Sequence, residues 1–273
     1  LFAISTTLDA LRLTAALLLA GWLWQSDGEA GGKNQRALLV LAVFSDLLWL
    51  GAFAADATGA APWSLNWGDL EALAGTDIGQ RWFLRLDLAL ALGLGMVAGR
   101  GRLAGLLALP WLALLGMDGH ASGIAGWQAV LVRFTAMLHI VTAALWIGGG
   151  LALARHRLAA PEARRLSRSY GEIALNAAIL LVLTGGLQFL AIAGDAFGAI
   201  APGYLALSGA KLALFVILLA VGAYNRYRLA PLLHRLPIRA GGAMSQSLLR
   251  AALVGVAAIL LGSLLGGTEP GPP

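Results

Sequence analysis

Apolar residues gather in long blocks, broken by short polar stretches. The blocks cover roughly residues 5–24, 36–55, 83–99, 103–118, 129–154, 170–193, 204–224 and 249–267. About 20 apolar residues in a helix cross ~30 Å of hydrocarbon. The pattern therefore predicts an all-α, polytopic helical membrane bundle of about eight transmembrane helices. The third and fourth blocks are short and meet at Gly99-Arg100-Gly101-Arg102, which predicts a tight helical hairpin. Between the second and third blocks lies the loop 56–82, with Trp63, Trp67 and Trp82, predicted to lie along the interface with a short helix near Asp69–Leu73. Residues 1–118 form the predicted N-terminal four-helix half, and 119–273 the second.

Composition agrees. The chain of 273 residues is 59% hydrophobic and 12% charged, about half the charge of a soluble domain. Membrane lipid is the expected surrounding. The formal net charge of +5 would hint at nucleic acid in a soluble protein, but the placement of the charges argues against that partner. The absence of cysteine removes disulfides and thiolate metal sites. No cleavable signal peptide is evident, since no basic segment precedes the first apolar block.

Of the 19 basic residues, 14 fall in four connections or at their edges: Lys33 and Arg36; Arg100 and Arg102; Arg155, Arg157, Arg164, Arg165 and Arg168; and Arg226, Arg228, Arg235, Arg239 and Arg250. With eight spans these connections share one side. The positive-inside rule makes that side cytoplasmic and puts both termini outside. The opposite side is acidic, with Asp56, Asp69, Glu71, Asp77, Asp118, Asp195 and Glu269.

Ionisable groups inside spans are costly and mark pairs or functional sites. Here they are Asp9 and Arg12, Asp46, Arg85 and Asp87, Asp118 and His120, Arg133 and His139, and Lys211, with Asn176, Gln188 and Asn225 as uncharged additions. Most lie in the predicted outer half, which outlines a polar cavity reached from outside. Interhelical salt bridges, such as Arg12 or Lys211 with Asp46 or Asp87, are the preferred account of the charged members. The histidines differ. His156 and His234 sit in basic connections and read as solvated. His120 and His139 lie on consecutive spans joined by "GHASGIAGWQ", so their rings can approach. They read either as hydrogen-bonded core residues or as metal ligands. Met117 precedes His120 by three residues and can face the same way; Met137 is nearly opposite His139. Imidazole with thioether suits copper, Cu(I) above Cu(II). On the fifth span, His139 and Trp146 share a helical face, and Gly148, Gly149 and Gly150 permit close helix approach.

These stretches resemble the CopD/PcoD copper-resistance membrane proteins. "LHIVTAALWIGGGLAL" is similar to that family's H-x6-W-x-G-G element. "RRLSRSYGEIALNAAILLVLTGG" is similar to its R-F-S segment and the following span ending in T-G. "GYLALSGAKLALFVILLAVGAYNRYRLAPLL" matches a lysine element continuing to N-R and P-x-L, here Lys211, Asn225, Arg226 and Pro231. "LGGTEPGPP" resembles the closing G-x-x-P-P, with Glu-Pro-Gly inserted. The likeness covers about residues 120–273, a CopD-like four-helix core; the first four spans share only their number and Gly119-His120-Ala121. It implies a bacterial inner-membrane protein moving copper from periplasm to cytoplasm, with a periplasmic copper chaperone as donor. His120, His139 and Met117 are then the metal ligands, and Asp118, Trp146, Asp46, Asp87, Lys211 and Arg133 line the site or the ion path. No Met-rich or His-rich outer loop is present, which argues against high-capacity capture.

Two other classes stay open. Two intramembrane histidines also suit b-type haem, with Arg133 or Lys211 on the propionates. A membrane subunit without transport is the third. G-x-S-x-G, H-E-x-x-H and a gathered Ser-His-Asp set are absent, so an enzyme is not expected. Without a G-x-x-x-x-G-K loop, transport is passive or ion-coupled.

Overall fold

The computed structural model describes residues 2–25, 31–59, 66–118, 126–155, 161–193, 200–233 and 235–268. Its helices are α1 (Phe2–Gln25), α2 (Lys33–Thr58), α3 (Trp67–Ala74), α4 (Asp77–Val97), α5 (Gly101–Leu115), α6 (Gly126–Arg155), α7 (Pro161–Ala193), α8 (Pro202–Leu232) and α9 (Pro237–Gly266). Each predicted block falls on a helix, and the short helix foreseen in the 56–82 loop is α3. Asn66 caps α3: its side chain accepts from the Asp69 N–H while Asp69 accepts from the Asn66 N–H, the reciprocal arrangement of a capping box. The α4–α5 hairpin turns at Gly99, whose φ of 68° needs a residue without Cβ.

Six helices are long and apolar enough to cross a bilayer: α1, α2, α6, α7, α8 and α9. The chain is therefore a polytopic helical membrane protein. The other two predicted spans differ for stated reasons. α4 carries Asp77, Arg81, Arg85 and Asp87, and α5 has 15 residues, about 22 Å at ~1.5 Å per residue.

α1 is the central post, packed on α2, α5, α6 and α9. Its core is built from small residues that let helices close up without a hydrophobic driving force. Ala15, Ala16, Leu19 and Ala20 meet Leu92 of α4, Ala104 and Leu112 of α5 and Ala144 of α6. A second core lies within α6–α9, with Trp146, Leu153, Tyr170, Leu181, Leu218, Met244 and Leu248. α6 belongs to both. Large apolar side chains such as Val40, Phe44, Leu90, Leu94, Leu183 and Val216 face outward, as lipid contact requires.

α1 and α6 pack backbone to backbone. A Cβ on Gly148 would stand 2.7 Å from the Leu17 carbonyl oxygen and 2.9 Å from Gly21 Cα. The glycine run in α6 is used as the sequence predicts. One feature was not legible: α6 widens to a π-turn at Ala144–Gly148, and α8 does the same at Asn225–Leu229. A π-turn frees backbone carbonyls. In α6 one of them, that of Trp146, accepts a 2.7 Å hydrogen bond from the Tyr170 hydroxyl.

Candidate functional site

Two arginines stand almost without solvent contact in the N-terminal half, Arg12 at 1% and Arg85 at 0% exposure. A buried guanidinium demands partners. Arg12 meets Asp9 one turn before it at 2.7 and 2.9 Å, Asp46 of α2 at 2.7 Å and Asp118 after α5 at 3.1 Å. Arg85 of α4 reaches the same two carboxylates, Asp118 at 2.5 Å and Asp46 at 3.1 Å. The Trp49 ring covers Arg12, with the guanidinium carbon 3.7 Å from the ring centroid. Asp46 and Asp118 are thus bridges between arginines. Two cations and three carboxylates leave the cluster formally at −1. Asp118 keeps one oxygen, Oδ1, buried and without a hydrogen-bond partner.

Asp9, Arg12 and Asp118 form one wall of a cavity of about 920 Å³. α6–α9 form the other walls, with His139, Trp146, Gln188, Tyr204, Ser208, Lys211, Phe215 and Ser263. His139 is fixed by α7. Its Nδ1 lies 2.8 Å from Thr184 Oγ1, and that hydroxyl donates to the Leu180 carbonyl at 2.6 Å. With the threonine proton committed, the imidazole Nδ1–H donates and Nε2 carries the lone pair. An outer partner on one ring nitrogen is how proteins orient an imidazole for a metal on the other. Gly185 leaves room for the ring: a Cβ there would sit 3.4 Å from His139 Cε1. Phe215 meets Trp146 edge-on at 5.8 Å and Phe189 stacks on Tyr204 at 6.5 Å, so the remaining walls are largely aromatic and aliphatic.

The structure gathers some predicted residues and separates others. His139, Trp146, Lys211 and Asp118 share the cavity, and Asp46 supports it through Arg12. The predicted Arg12–Asp46 pair is present. Lys211 pairs with neither Asp46 nor Asp87 among the described residues, and Asp87 is exposed on α4 away from the network. Met117 and Arg133 are not among the residues lining the cavity. His120, His156 and His234 lie outside the described residues. Among the described residues no group of three or more His, Asp or Glu is placed to hold a metal ion. Ser208, Ser263, Thr184 and Trp49 were not singled out in the sequence. Thr184 stood inside the T-G element, and Gln188, named among the polar residues of the spans, lies one turn beyond it.

Residues 164–265 match the family model described as Copper resistance protein D, and residues 10–130 match Copper resistance protein D-like, N-terminal domain. The chain belongs to the copper-resistance protein D family. No curated protein and no solved structure matches it. In this family member the N-terminal match contains Arg12, Asp46, Arg85 and Asp118, and the C-terminal match contains Thr184, Gln188, Ser208, Lys211 and Ser263. His139 and Trp146 fall between the two matched stretches. The cavity of this copper-resistance protein is therefore closed by both family segments together with α6.

Proposed function

We propose that this copper-resistance membrane protein binds Cu(I) at His139 and moves it from the periplasm toward the cytoplasm. One observation carries the reading: the His139 imidazole, held through Nδ1 by Thr184, lines a cavity whose other wall carries the carboxylates of a net-negative cluster. A cation in hydrocarbon needs compensating negative charge. Asp118, with one unpartnered oxygen, and Asp9 supply it on the way to the imidazole. A neutral imidazole with its second nitrogen already hydrogen-bonded is a good Cu(I) ligand. His120 and Met117, at the same end of α5 in sequence, are the further ligands in this reading. Trp146 and Lys211 line the site, Asp46 and Arg85 brace it, and Asp87 and Arg133 belong to the outer approach.

The same reading makes α4 and α5 the third and fourth of eight crossings. The basic connections face the cytoplasm of a bacterial cell, both termini face the periplasm, and a periplasmic copper chaperone is the donor. The protein carries cargo and catalyses no reaction. Neither the family match nor the described residues, which place one imidazole at the cavity, support the b-type haem alternative.

The test is metal content and visible spectrum of the purified protein after anaerobic Cu(I) loading, for wild type and His139→Ala. About one copper lost in the variant, without a Soret band, is the expected outcome. A Soret band that vanishes in the variant replaces copper by haem. Wild-type protein that holds neither sinks both sites.

A further inference from the structure

The cavity is far larger than one copper ion needs, and one side of it is chemically wrong for a cation. Lys211 lines it from α8. Among the described residues its ammonium has no carboxylate within ion-pair distance. Ser208 stands one turn before it on the same face. Gly262 of α9 approaches from the other side, since a Cβ there would lie 3.3 Å from Lys211 Nζ. Ser263 follows that glycine. The hydroxyls of Ser208 and Ser263 and the amide nitrogen of Gln188 are all buried without a hydrogen-bond partner, and all three residues line this cavity. Buried polar groups are normally satisfied, so each orphan calls for an explanation. These three orphaned donors and the Lys211 ammonium, lining one cavity from α7, α8 and α9, share a single explanation. Phe189, Tyr204 and Phe215 flank them.

From this arrangement we infer that Lys211, Ser208, Ser263 and Gln188 form a binding site for a carboxylate-bearing small molecule with an apolar body. The ammonium supplies the charge complement. The two hydroxyls and the amide supply directional hydrogen bonds to the carboxylate oxygens. The aromatic side chains bury the body. The site shares the cavity with His139 but makes no use of the imidazole or the carboxylate cluster, so it stands or falls apart from the copper reading. A bound carboxylate would also offset the repulsion that a fixed ammonium exerts on a copper cation nearby.

The test uses the full-length protein in lipid nanodiscs and 4-fluorobenzoate as the probe, read by fluorine NMR. Saturable binding is expected. It should weaken at least tenfold in Lys211→Met, which removes charge but little volume, and several-fold in Ser263→Ala. His139→Ala should keep it while losing copper. Absence of saturable binding to wild type, equal binding to Lys211→Met, or loss of the probe in His139→Ala overturns the site. Probe binding by a wild-type protein that takes up no copper supports the carboxylate site and removes the copper reading alone. Competition distinguishes the natural source. Displacement by decanoate but not acetate marks a membrane-derived acyl chain, and equal displacement marks a soluble acid; both support the site.

Discussion

Thr184 Oγ1 sits 2.8 Å from His139 Nδ1 and gives its own proton to Leu180. This contact engages Nδ1 and leaves Nε2 as the imidazole nitrogen without that partner. Thr184→Val keeps the shape and removes the acceptor. Cu(I) affinity, measured by competition with a colorimetric chelator, should fall about 10–100-fold, the usual effect of losing an outer partner of a ligand. Thr184→Ser should restore most of it. Unchanged affinity in Thr184→Val would separate copper from this imidazole.

The two arginines predict an asymmetric mutational response. Arg85→Met leaves Asp46 and Asp118 with one cation where they had two. The cost should be about 3–5 kcal/mol, typical of a broken buried pair. Arg85→Met with Asp46→Asn returns the cluster to its formal −1. The double variant should therefore lose less than the sum of the single losses. Thermal unfolding in nanodiscs, run as a double-mutant cycle, measures the difference.

Gly148→Ala should destabilise the bundle by about 1–3 kcal/mol, because its Cβ has nowhere to go at the α1 backbone. Gly222→Ala is the matched control. It lies in α8 with nothing within 4 Å of its added Cβ, so helix propensity should make the change neutral or slightly stabilising. Equal losses at the two sites would mean that the α1–α6 contact is not tight.

Tyr170→Phe removes a donor to the Trp146 carbonyl at the α6 π-turn. An expected loss of about 1 kcal/mol follows from removing this hydrogen bond, because the carbonyl keeps the Gly149 N–H as a partner. Hydrogen exchange at residues 144–150 should rise with it, while α1–α2 should not change.

The chain has no cysteine, which makes topology directly measurable. Single cysteines at Arg100 and Thr268 should react differently with a membrane-impermeant maleimide on intact spheroplasts. Thr268→Cys should label, and Arg100→Cys only after lysis. The reverse pattern, or both labelled, overturns the proposed orientation.

Helix positions were readable because hydrophobic blocks of this length have few other solutions in a bilayer. The Asp9–Arg12 pair was readable because it is local, three residues apart on one helix. That Asp46 and Asp118 bridge Arg12 to Arg85 was not, because it depends on the rotation of four helices about their own axes. A charge in a span announces itself by its cost, which is why His139 and Lys211 stood out. Ser208 and Ser263 did not, since a hydroxyl in a helix can bond its own backbone and so costs little. Six helices meet the length and apolarity needed to cross, against eight predicted. The difference lies in α4, whose charges include the buried, ion-paired Arg85, and in α5, which has 15 residues.

The glycine contact between α1 and α6 also acts as a fulcrum. His139 is nine residues along α6 from Gly148, about 14 Å at ~1.5 Å per residue. A tilt of about 5° at that contact would sweep the imidazole through roughly 1 Å, whereas a metal–nitrogen bond tolerates about ±0.2 Å. The aim of the ring is thus leveraged on a joint where a single methyl added at Gly148 would press to 2.9 Å from Gly21 Cα.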